Sequence, residues 1–309
     1  MTTPPSLRRV AAGQDGVVSL RQALRAGLSR DEVRQRCRAG RWIRLLPGYF
    51  LIDPAACVAP IRRARIRAAV ASLGRGACAV LETAAELQGI AGLRPSTMIH
   101  VSVPVARPRP QRHAHAGLTV HQLTVSDEDV HRIDDIPVTT PLRTLADVIL
   151  RTDRYSAVSA IDSALHRGLV DASQLPLVAR SISRRRGAVA ARGYLLEADG
   201  RAQSPLETRV RLRCVDGRVP PDDLQVEVRD ADGYLLGIGD LGWRRARVIA
   251  EADGRGPHGG PDAVFADRWR QNRLVNAGWA VVRFTWADTL RSDYIPFTVR
   301  NALAVAAAR

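Results

Sequence analysis

The sequence predicts a multidomain protein of mixed α+β and α/β class, with an N-terminal winged helix-turn-helix, a central α/β region and a C-terminal αβββαβ domain. The chain has 309 residues, which is more than one small domain needs. Near its start, short capped helices precede a strand pair. From residue 204 onward, helix-like and strand-like runs follow one another in the order αβββαβ. The predicted segments are a winged helix over 1–57, a central α/β domain over 58–180, an arginine-rich linker over 181–199 and the C-terminal domain over 200–309.

The composition is that of a globular protein. Hydrophobic residues make up 46% and charged residues 25% of the chain. No apolar stretch approaches the roughly 20 residues that span a bilayer, and the start of the chain lacks the apolar core of a secretory signal. The four cysteines lie far apart, without the spacing of metal ligands. We therefore expect a soluble, cytoplasmic protein with reduced cysteines.

The net charge of +15 predicts a polyanionic partner. The sequence has no lysine, so all 46 basic residues are arginine. Coding bias in a GC-rich genome explains the choice of arginine but not the excess of basic over acidic residues. We expect double-stranded DNA as the partner and no membrane partner. The alternative is a basic protein without a nucleic-acid partner. A homodimer also stays open, and one chain gives no basis for naming a toxin partner.

The first segment has the local signals of a winged helix. Ser19 can cap a short helix that ends at Gly27, and the capping box SRDE at 29–32 opens a second helix that ends at Gly40. The following run, RWIRLLPGYFLI, alternates around Pro47 like a β-hairpin. Two helices with a glycine turn and a hairpin predict a helix-turn-helix with a wing.

The second of these helices carries regularly spaced arginines. Arg30, Arg34 and Arg38 recur every four residues, and Arg41 lies at the start of the wing. One helical face could therefore contact phosphates or base edges. The alternative is a solvated helix face on a small packing module.

The central segment alternates helices and strands. PIRRARIRAAVASLG and VLETAAELQGI read as helices, and MIHVSVPV reads as a strand. The run from 118 to 149 reads as strand, loop, strand and helix, with Pro141 at the first helical position. The histidines of this segment lack thiolates or carboxylates at ligand spacing, so we interpret them as exposed rather than metal-binding; they are His113, His115, His121 and His131.

Residues 181–205 are rich in arginine and precede the last domain. Two interpretations stay open for this stretch, a solvated linker helix and a contact with a phosphate backbone.

Residues 235–254 read as a hairpin that carries three acids. With a two-residue loop at 244–245, Asp240 would lie opposite Ile249, and Asp240, Glu251 and Asp253 would share one face. Asp240 and Glu251 would then be diagonal neighbours about 7 to 8 Å apart at Cβ. Such a pair can bind Mg²⁺ or Mn²⁺, which prefer oxygen ligands. The alternative is a solvent-facing sheet edge.

Two resemblances follow from these motifs. Asp240 followed by Glu251-Ala252-Asp253 resembles the PD-(D/E)xK core of the restriction-endonuclease-like fold, and residues 200–292 are similar to a bacterial domain related to very-short-patch-repair endonucleases. Residues 13–150, with PGYF and IPVTTPLRTLADV, resemble proteins with an AbiEi-antitoxin-like winged helix. The landmarks of the C-terminal resemblance, in order, are Ser204 to Glu207, Gln225, Asp240, Trp243, Glu251, Asp253-Gly254, His258, Arg268, Arg273 and Gly278-Trp279.

The C-terminal resemblance implies a catalytic set and a phosphate-binding helix. It implies metal binding by Asp240 and Glu251, with Glu207 completing the acids, although Glu207 also fits a capping box that begins at Ser204. It gives His258 the role of a general base or phosphate ligand. The lysine of the (D/E)xK motif is absent, and Asp253 stands in its position. The arginines that would contact phosphate are Arg268 and Arg273.

Three functions compete. The first is a DNA-binding protein whose C-terminal domain is a Mg²⁺-dependent endodeoxyribonuclease, in which the metal activates water and stabilises the phosphate charge. The second is a non-catalytic transcriptional regulator of antitoxin type with a degenerate nuclease fold. The third is an enzyme directed at RNA. Metal dependence separates the first from the second, because only a nuclease needs Asp240 and Glu251.

Overall fold

The computed structural model describes residues 3–56, 60–106, 117–254 and 261–308. The chain forms two compact units. The first unit comprises Met1–Ile90 with Arg94–Val148, and the second comprises Ala91–Leu93 with Ile149–Arg309. Within the described residues, no helix combines the length and the apolar character that crossing a bilayer requires.

The first unit begins with the predicted capped helices and hairpin. The elements are α1 Pro5–Ala12, β1 Val17–Ser19, α2 Leu20–Arg25, α3 Arg30–Arg38, β2 Trp42–Leu46 and β3 Tyr49–Ile52. The strands form an antiparallel sheet in the order β1-β3-β2. This order of elements is typical of a winged helix.

Local hydrogen bonds start α2 and α3 where the sequence predicts. Each helix has a complete capping box, Ser19 with Gln22 and Ser29 with Glu32. The helices pack on the sheet through a core that includes Val33 of α3.

A second sheet forms the rest of the first unit. The elements are α4 Ile61–Leu73, β4 Cys78–Ala79, α5 Leu81–Gln88, β5 Ile99–Ser102, β6 Leu118–His121, β7 Val130–Ile133, β8 Ile136–Thr139 and α6 Pro141–Val148. The mixed sheet has the order β6-β5-β4-β8-β7, and α4 and α5 pack apolar side chains against it, among them Ile66, Val70 and Ala84. The predicted helices, including the one that begins at Pro141, are confirmed, but the run from 118 to 149 has three strands where two were predicted, and β4 was not predicted.

The second unit contains a helical part and a four-stranded sheet. Its elements are α7 Arg154–His166, α8 Leu175–Ser181, α9 Ala188–Leu196, α10 Pro205–Asp216, β9 Asp223–Arg229, β10 Leu235–Trp243, β11 Val248–Ala252, α11 Pro261–Asn276, β12 Ala280–Phe284 and α12 Tyr294–Ala307. The sheet has the order β12-β11-β10-β9, and only β11 and β12 are parallel. From α10 to β12 the predicted order αβββαβ is confirmed, and α12 extends it. Short 3-10 helices elsewhere in the chain cover Pro54–Ala56, Asp127–Asp129, Ala172–Gln174 and Asp288–Leu290.

The two compact units do not coincide with the four predicted segments. The stretch predicted as a linker, 181–199, contains α9, whose Ala191 and Leu195 are buried. Farther along, Nη2 of Arg211 in α10 lies 2.8 Å from Oδ2 of the buried Asp162 in α7. Helices α7 and α9 therefore pack within the same unit as the C-terminal sheet.

Candidate functional site

The β10–β11 hairpin has a longer loop than predicted. Its register pairs Trp243 with Val248, so the loop consists of residues 244–247. The predicted two-residue loop at 244–245 is therefore wrong.

The longer loop keeps the predicted face but changes the pairing. Arg247 has a left-handed φ of 50°, and its carbonyl accepts a hydrogen bond from the backbone N–H of Ala280 in β12, so a long-range contact fixes the loop. Because the loop still has an even number of residues, Asp240 and Glu251 share one face. Continuing the observed register sets Asp240 directly opposite Glu251, not opposite Ile249 as predicted.

Asp240 lies in an acidic and partly buried environment. The pKa of Asp240 is raised to about 6: burial is the largest cause and the charges of Glu207 and Glu251 add to it, whereas the hydrogen bond from Ala252 and the charge of Arg270 act in the opposite direction. The backbone N–H of Ala252 donates to Oδ2 of Asp240 at 2.7 Å. The structure thus brings Asp240 and Glu251 together with Glu207, the acid that the C-terminal resemblance added.

Two arginines hold the carboxylate of Glu251. Nη1 of Arg270 donates to Oε1 at 2.7 Å, and Nη2 of Arg283 lies 2.9 Å from Oε2. Glu251 is only 6% exposed, so this pairing compensates a buried charge. A cation on Glu251 would share the carboxylate oxygens with these two guanidinium groups, whose positive charge opposes its binding.

The described residues do not present a ready metal site. Among them, no group of three or more His, Cys, Asp and Glu side chains is placed to hold a metal ion. The Mg²⁺ or Mn²⁺ ion on Asp240 and Glu251 stays a prediction.

Glu207 lies in the first turn of α10, and its carboxylate accepts from Gln203 rather than from the backbone N–H of Ser204 that the predicted capping box requires; its part in a metal site stays a prediction. Ser204 caps α10, because its Oγ accepts a hydrogen bond from the backbone N–H of Glu207 at 3.2 Å. The Glu207 carboxylate accepts from the backbone N–H of Gln203 and from Nε2 of Gln225, each at 2.9 Å. This buried carboxylate therefore supports the start of α10 and contributes charge near Asp240.

Asp253 lies outside this group. It follows the end of β11, its side chain is 57% exposed, and its nearest ion-pair partner is Arg283 at 3.7 Å. Its backbone N–H donates to the carbonyl of Phe284 at 2.7 Å. His258 lies outside the described residues.

Helix α11 contacts Glu251 through Arg270, an arginine that sequence reasoning did not single out. Arg268 and Arg273 are exposed, whereas Arg270 reaches Glu251 and also donates to the carbonyl of Ile238 at 3.0 Å. Gly237 leaves room for this contact, since a Cβ there would lie 3.1 Å from Cγ of Arg270. The helical pattern alone does not select Arg270 from its neighbours.

Arg283 was also missed by sequence reasoning, although a signal was present. In the parallel β11–β12 pair, Glu251 is the register partner of Arg283. A parallel alignment of the two predicted strands would have placed an arginine next to the acid.

The predicted DNA-binding arginines of the first unit are all exposed; they are Arg30, Arg34, Arg38 and Arg41. Arg34 forms an ion pair with Asp31 one turn earlier. On the other side of α3, Val33 is buried, and the guanidinium of the buried Arg36 lies 5.9 Å from the Trp42 ring centroid. Helix α3 therefore packs through one face and exposes arginines on the other.

The central histidines form no metal cluster within the described part of the chain. Nδ1 of His100 lies 2.9 Å from Nε2 of His121, and burial lowers the pKa of His131. His113 and His115 lie outside the described residues.

Comparison with family models matches two segments of the chain to AbiEi antitoxin families. Residues 6–52 match the model described as transcriptional regulator, AbiEi antitoxin, and residues 77–198 match the AbiEi antitoxin C-terminal domain. These two segments are AbiEi antitoxin-family domains. The predicted AbiEi-like resemblance is confirmed. The AbiEi C-terminal match ends in the helical part of the second unit, before α10, and the endonuclease-like resemblance of residues 200–292 stays a prediction.

The chain is also similar to two curated relatives and to one solved structure. The chain is 29% identical over 264 residues to uncharacterized protein MT2308 of Mycobacterium tuberculosis strain CDC 1551 / Oshkosh, and equally to uncharacterized protein Rv2248 of strain H37Rv. Each alignment covers 85% of this chain and 93% of the relative. The crystal structure of the RV2827C protein from Mycobacterium tuberculosis aligns with a TM-score of 0.38 and 17% identity, over 63% of this chain and 82% of that one.

Proposed function

We propose that this protein is a cytoplasmic, DNA-binding transcriptional regulator of antitoxin type, which contacts double-stranded DNA through α3. The observation that carries the proposal is the division of α3 into a buried face and an exposed arginine face. The match of residues 6–52 to an AbiEi transcriptional-regulator model supports it.

The exposed arginines suit both phosphate and base contacts. Guanidinium groups bind phosphate oxygens bidentately and also pair with guanine edges in the major groove. The capping box of Ser29 and Glu32 fixes the N-terminal end of α3, which is the end that reaches bases in helix-turn-helix proteins.

Fluorescence anisotropy with duplex DNA over a range of salt concentrations tests this function. Binding should weaken steeply with salt, and Arg30→Ala and Arg38→Ala should each reduce the salt slope by about one and weaken binding. Arg151→Ala removes an exposed arginine of the second unit and is the control. Contact through α3 would be contradicted by a DNA affinity that does not change with salt, or by an equal loss of DNA affinity in all three variants.

Two partners remain to be tested within this proposal. A helix-turn-helix regulator that binds two half-sites would be a homodimer, and sedimentation of the free protein measures this. The antitoxin description of both family matches suggests a toxin protein as a further partner. Co-expression with the neighbouring open reading frames, followed by measurement of growth, tests it.

A Mg²⁺-dependent endonuclease is the second candidate, and one observation favours it. Asp240 has a raised pKa beside Glu207 and Glu251, an arrangement typical of functional carboxylates. The pairing of Glu251 with Arg270 and Arg283 instead favours a non-catalytic domain.

Cleavage assays separate the two candidates. Supercoiled, linear, mismatched and single-stranded DNA, and an RNA substrate, would be incubated with Mg²⁺ or Mn²⁺, in parallel with EDTA and with Asp240→Ala. Metal-dependent cutting that the variant loses would establish the nuclease. Tight DNA binding without cleavage of any substrate would favour the non-catalytic regulator over the nuclease.

A further inference from the structure

The first unit contains a cleft that neither DNA binding nor the acidic hairpin uses. It has a volume of about 700 Å³ and lies between the N-terminal sheet, α4 with its following turn, and the β7–β8 hairpin. Small-molecule sites typically have volumes of about 300 to 1,000 Å³. The cleft is therefore large enough for a metabolite.

The charge of the cleft lining is positive. Three arginines, Arg67, Arg75 and Arg132, line it with one acid, Asp135. Nε of Arg67 donates to Oδ2 of Asp15 at 2.7 Å, so this arginine is already compensated. Arg132 lies near Asp135, with its Nη2 donating to the Asp135 carbonyl at 2.7 Å and its Nε 3.6 Å from Oδ1. Arg75 is left as the uncompensated charge.

The backbone fixes Arg75 at the rim of the cleft. Its neighbours Gly74 and Gly76 have φ angles of 75° and 79°, which only glycine adopts readily. A Cβ at Gly76 would also lie 2.7 Å from Cγ of Pro104. In the part of the chain that the structure describes, Arg75 has no hydrogen bond or ion pair with another residue. The turn thus presents a guanidinium group without a protein anion.

The remaining lining supplies a donor and an apolar wall. Gln14 accepts a hydrogen bond from Nε2 of Gln22 at 3.2 Å through its amide oxygen, which leaves its amide nitrogen as a donor. Val70 and Ile136 line the cleft and are buried. Guanidinium groups beside apolar side chains suit a ligand that has both an anionic group and a carbon skeleton.

We propose that this cleft binds a small organic anion through Arg75 and Arg132, with a phosphate or carboxylate group at the rim and its skeleton against Val70. A metabolite fits better than DNA because the site is concave. This binding does not require the DNA-binding function proposed above, so each can fail without the other.

Calorimetric titration of the full-length protein with AMP and with citrate tests the proposal, with adenosine as the neutral counterpart of AMP. At least one anion should bind at one site per chain with a Kd tighter than about 1 mM. Arg75→Ala and Arg132→Ala should each weaken that binding about tenfold or more, since a hydrogen bond to a charged group is lost. Adenosine should bind at least tenfold more weakly than AMP, and Arg151→Ala should bind as the unmodified protein does. Circular dichroism verifies that each variant is folded, and Arg75→Gln repeats the test with a polar side chain.

Four results would overturn the proposal. They are the absence of binding by both anions, a measurable binding of AMP that adenosine equals, a loss of anion affinity in Arg151→Ala equal to that in Arg75→Ala, and unchanged anion binding in both Arg75 variants. If Arg75→Ala weakens binding to duplex DNA and leaves AMP binding unchanged, the cleft belongs to the DNA surface instead.

Discussion

Arg283 lies beside Glu251 on the adjacent parallel strand, with its Nη2 2.9 Å from Oε2 of the buried carboxylate. Arg270 reaches the other oxygen of Glu251 from α11. The hairpin that resembles a metal-binding motif therefore compensates its central acid with two guanidinium groups. This pairing gives the C-terminal sheet a structural use for Glu251 that requires no cation.

Removing Arg283 should destabilise the protein. In Arg283→Met, one oxygen of the buried Glu251 loses its partner, and we expect the free energy of unfolding to fall by about 1 to 2 kcal/mol, less than for a fully buried pair because Arg283 is 30% exposed. Urea denaturation measures this change. Arg229→Met breaks the exposed pair with Glu227 and should change stability by less than about 0.5 kcal/mol. Equal effects of the two variants would show that the Glu251 pair does not stabilise the sheet.

Asp240 should make stability depend on pH. Since burial raises the pKa of Asp240 to about 6, the folded state binds a proton that the unfolded state has released, so stability should fall as pH rises from the ordinary aspartate range to about 6. Asp240→Asn resembles the protonated form, so above about pH 7 it should be more stable than the unmodified protein by about 2 kcal/mol.

Unfolding curves recorded at several pH values measure this difference. The advantage of Asp240→Asn should disappear under acidic conditions, below the ordinary aspartate range. The control is Asp232→Asn, which makes the same substitution at an exposed aspartate of the same unit. A stability difference for Asp240→Asn that does not vary with pH would contradict the raised pKa.

Asp162 should be the most sensitive acid of the second unit. Its side chain is 1% exposed and accepts hydrogen bonds from Thr208 at 2.8 Å, from Arg211 at 2.8 Å and from the backbone N–H of Asp199 at 2.7 Å. Asp162→Ala leaves a buried guanidinium uncompensated, and we expect a loss of about 3 to 5 kcal/mol in thermal or urea unfolding. Asp162→Asn keeps part of the hydrogen bonding and should lose less. A loss below about 1 kcal/mol in the alanine variant would exclude this role in joining α7 to α10.

Gly239 should not tolerate a side chain. A Cβ at this position would overlap Cγ2 of the fully buried Ile249, so Gly239→Ala should destabilise the protein by about 1 to 3 kcal/mol. Gly193 in α9 has open space around it, and Gly193→Ala should instead stabilise the helix by about 0.5 to 1 kcal/mol. Denaturation curves should therefore show a lower free energy of unfolding for Gly239→Ala and a higher one for Gly193→Ala. A neutral Gly239→Ala variant would show that the sheet can widen at this position.

Sequence reasoning succeeded for structures that rest on neighbouring residues. The capping boxes at Ser19 and Ser29 define helix starts through hydrogen bonds within four residues. Turn residues predict the hairpin turn at Pro47 and Gly48, and the spacing of hydrophobic residues predicts the αβββαβ order. Asp240 and Glu251 lie on one face because the loop between their strands has an even number of residues, and this too depends only on residues near each other in the sequence.

Sequence reasoning failed where distant residues decide. The loop of the acidic hairpin is 244–247 because the carbonyl of Arg247 pairs with Ala280 of β12, more than thirty residues later. Arg270 became a partner of Glu251 only because α11 packs against Gly237 of β10. Periodicity within one element does not contain this information.

The sequence by itself determined the order of the elements, the helix starts and the arginine-rich character of α3, because each depends on short-range hydrogen bonds, side-chain period or composition. Only the tertiary structure decided the hairpin register and the guanidinium partners of Glu251. Both depend on which strand and which helix lie next to β11, and those neighbours are brought together by burial of apolar surface across long stretches of chain.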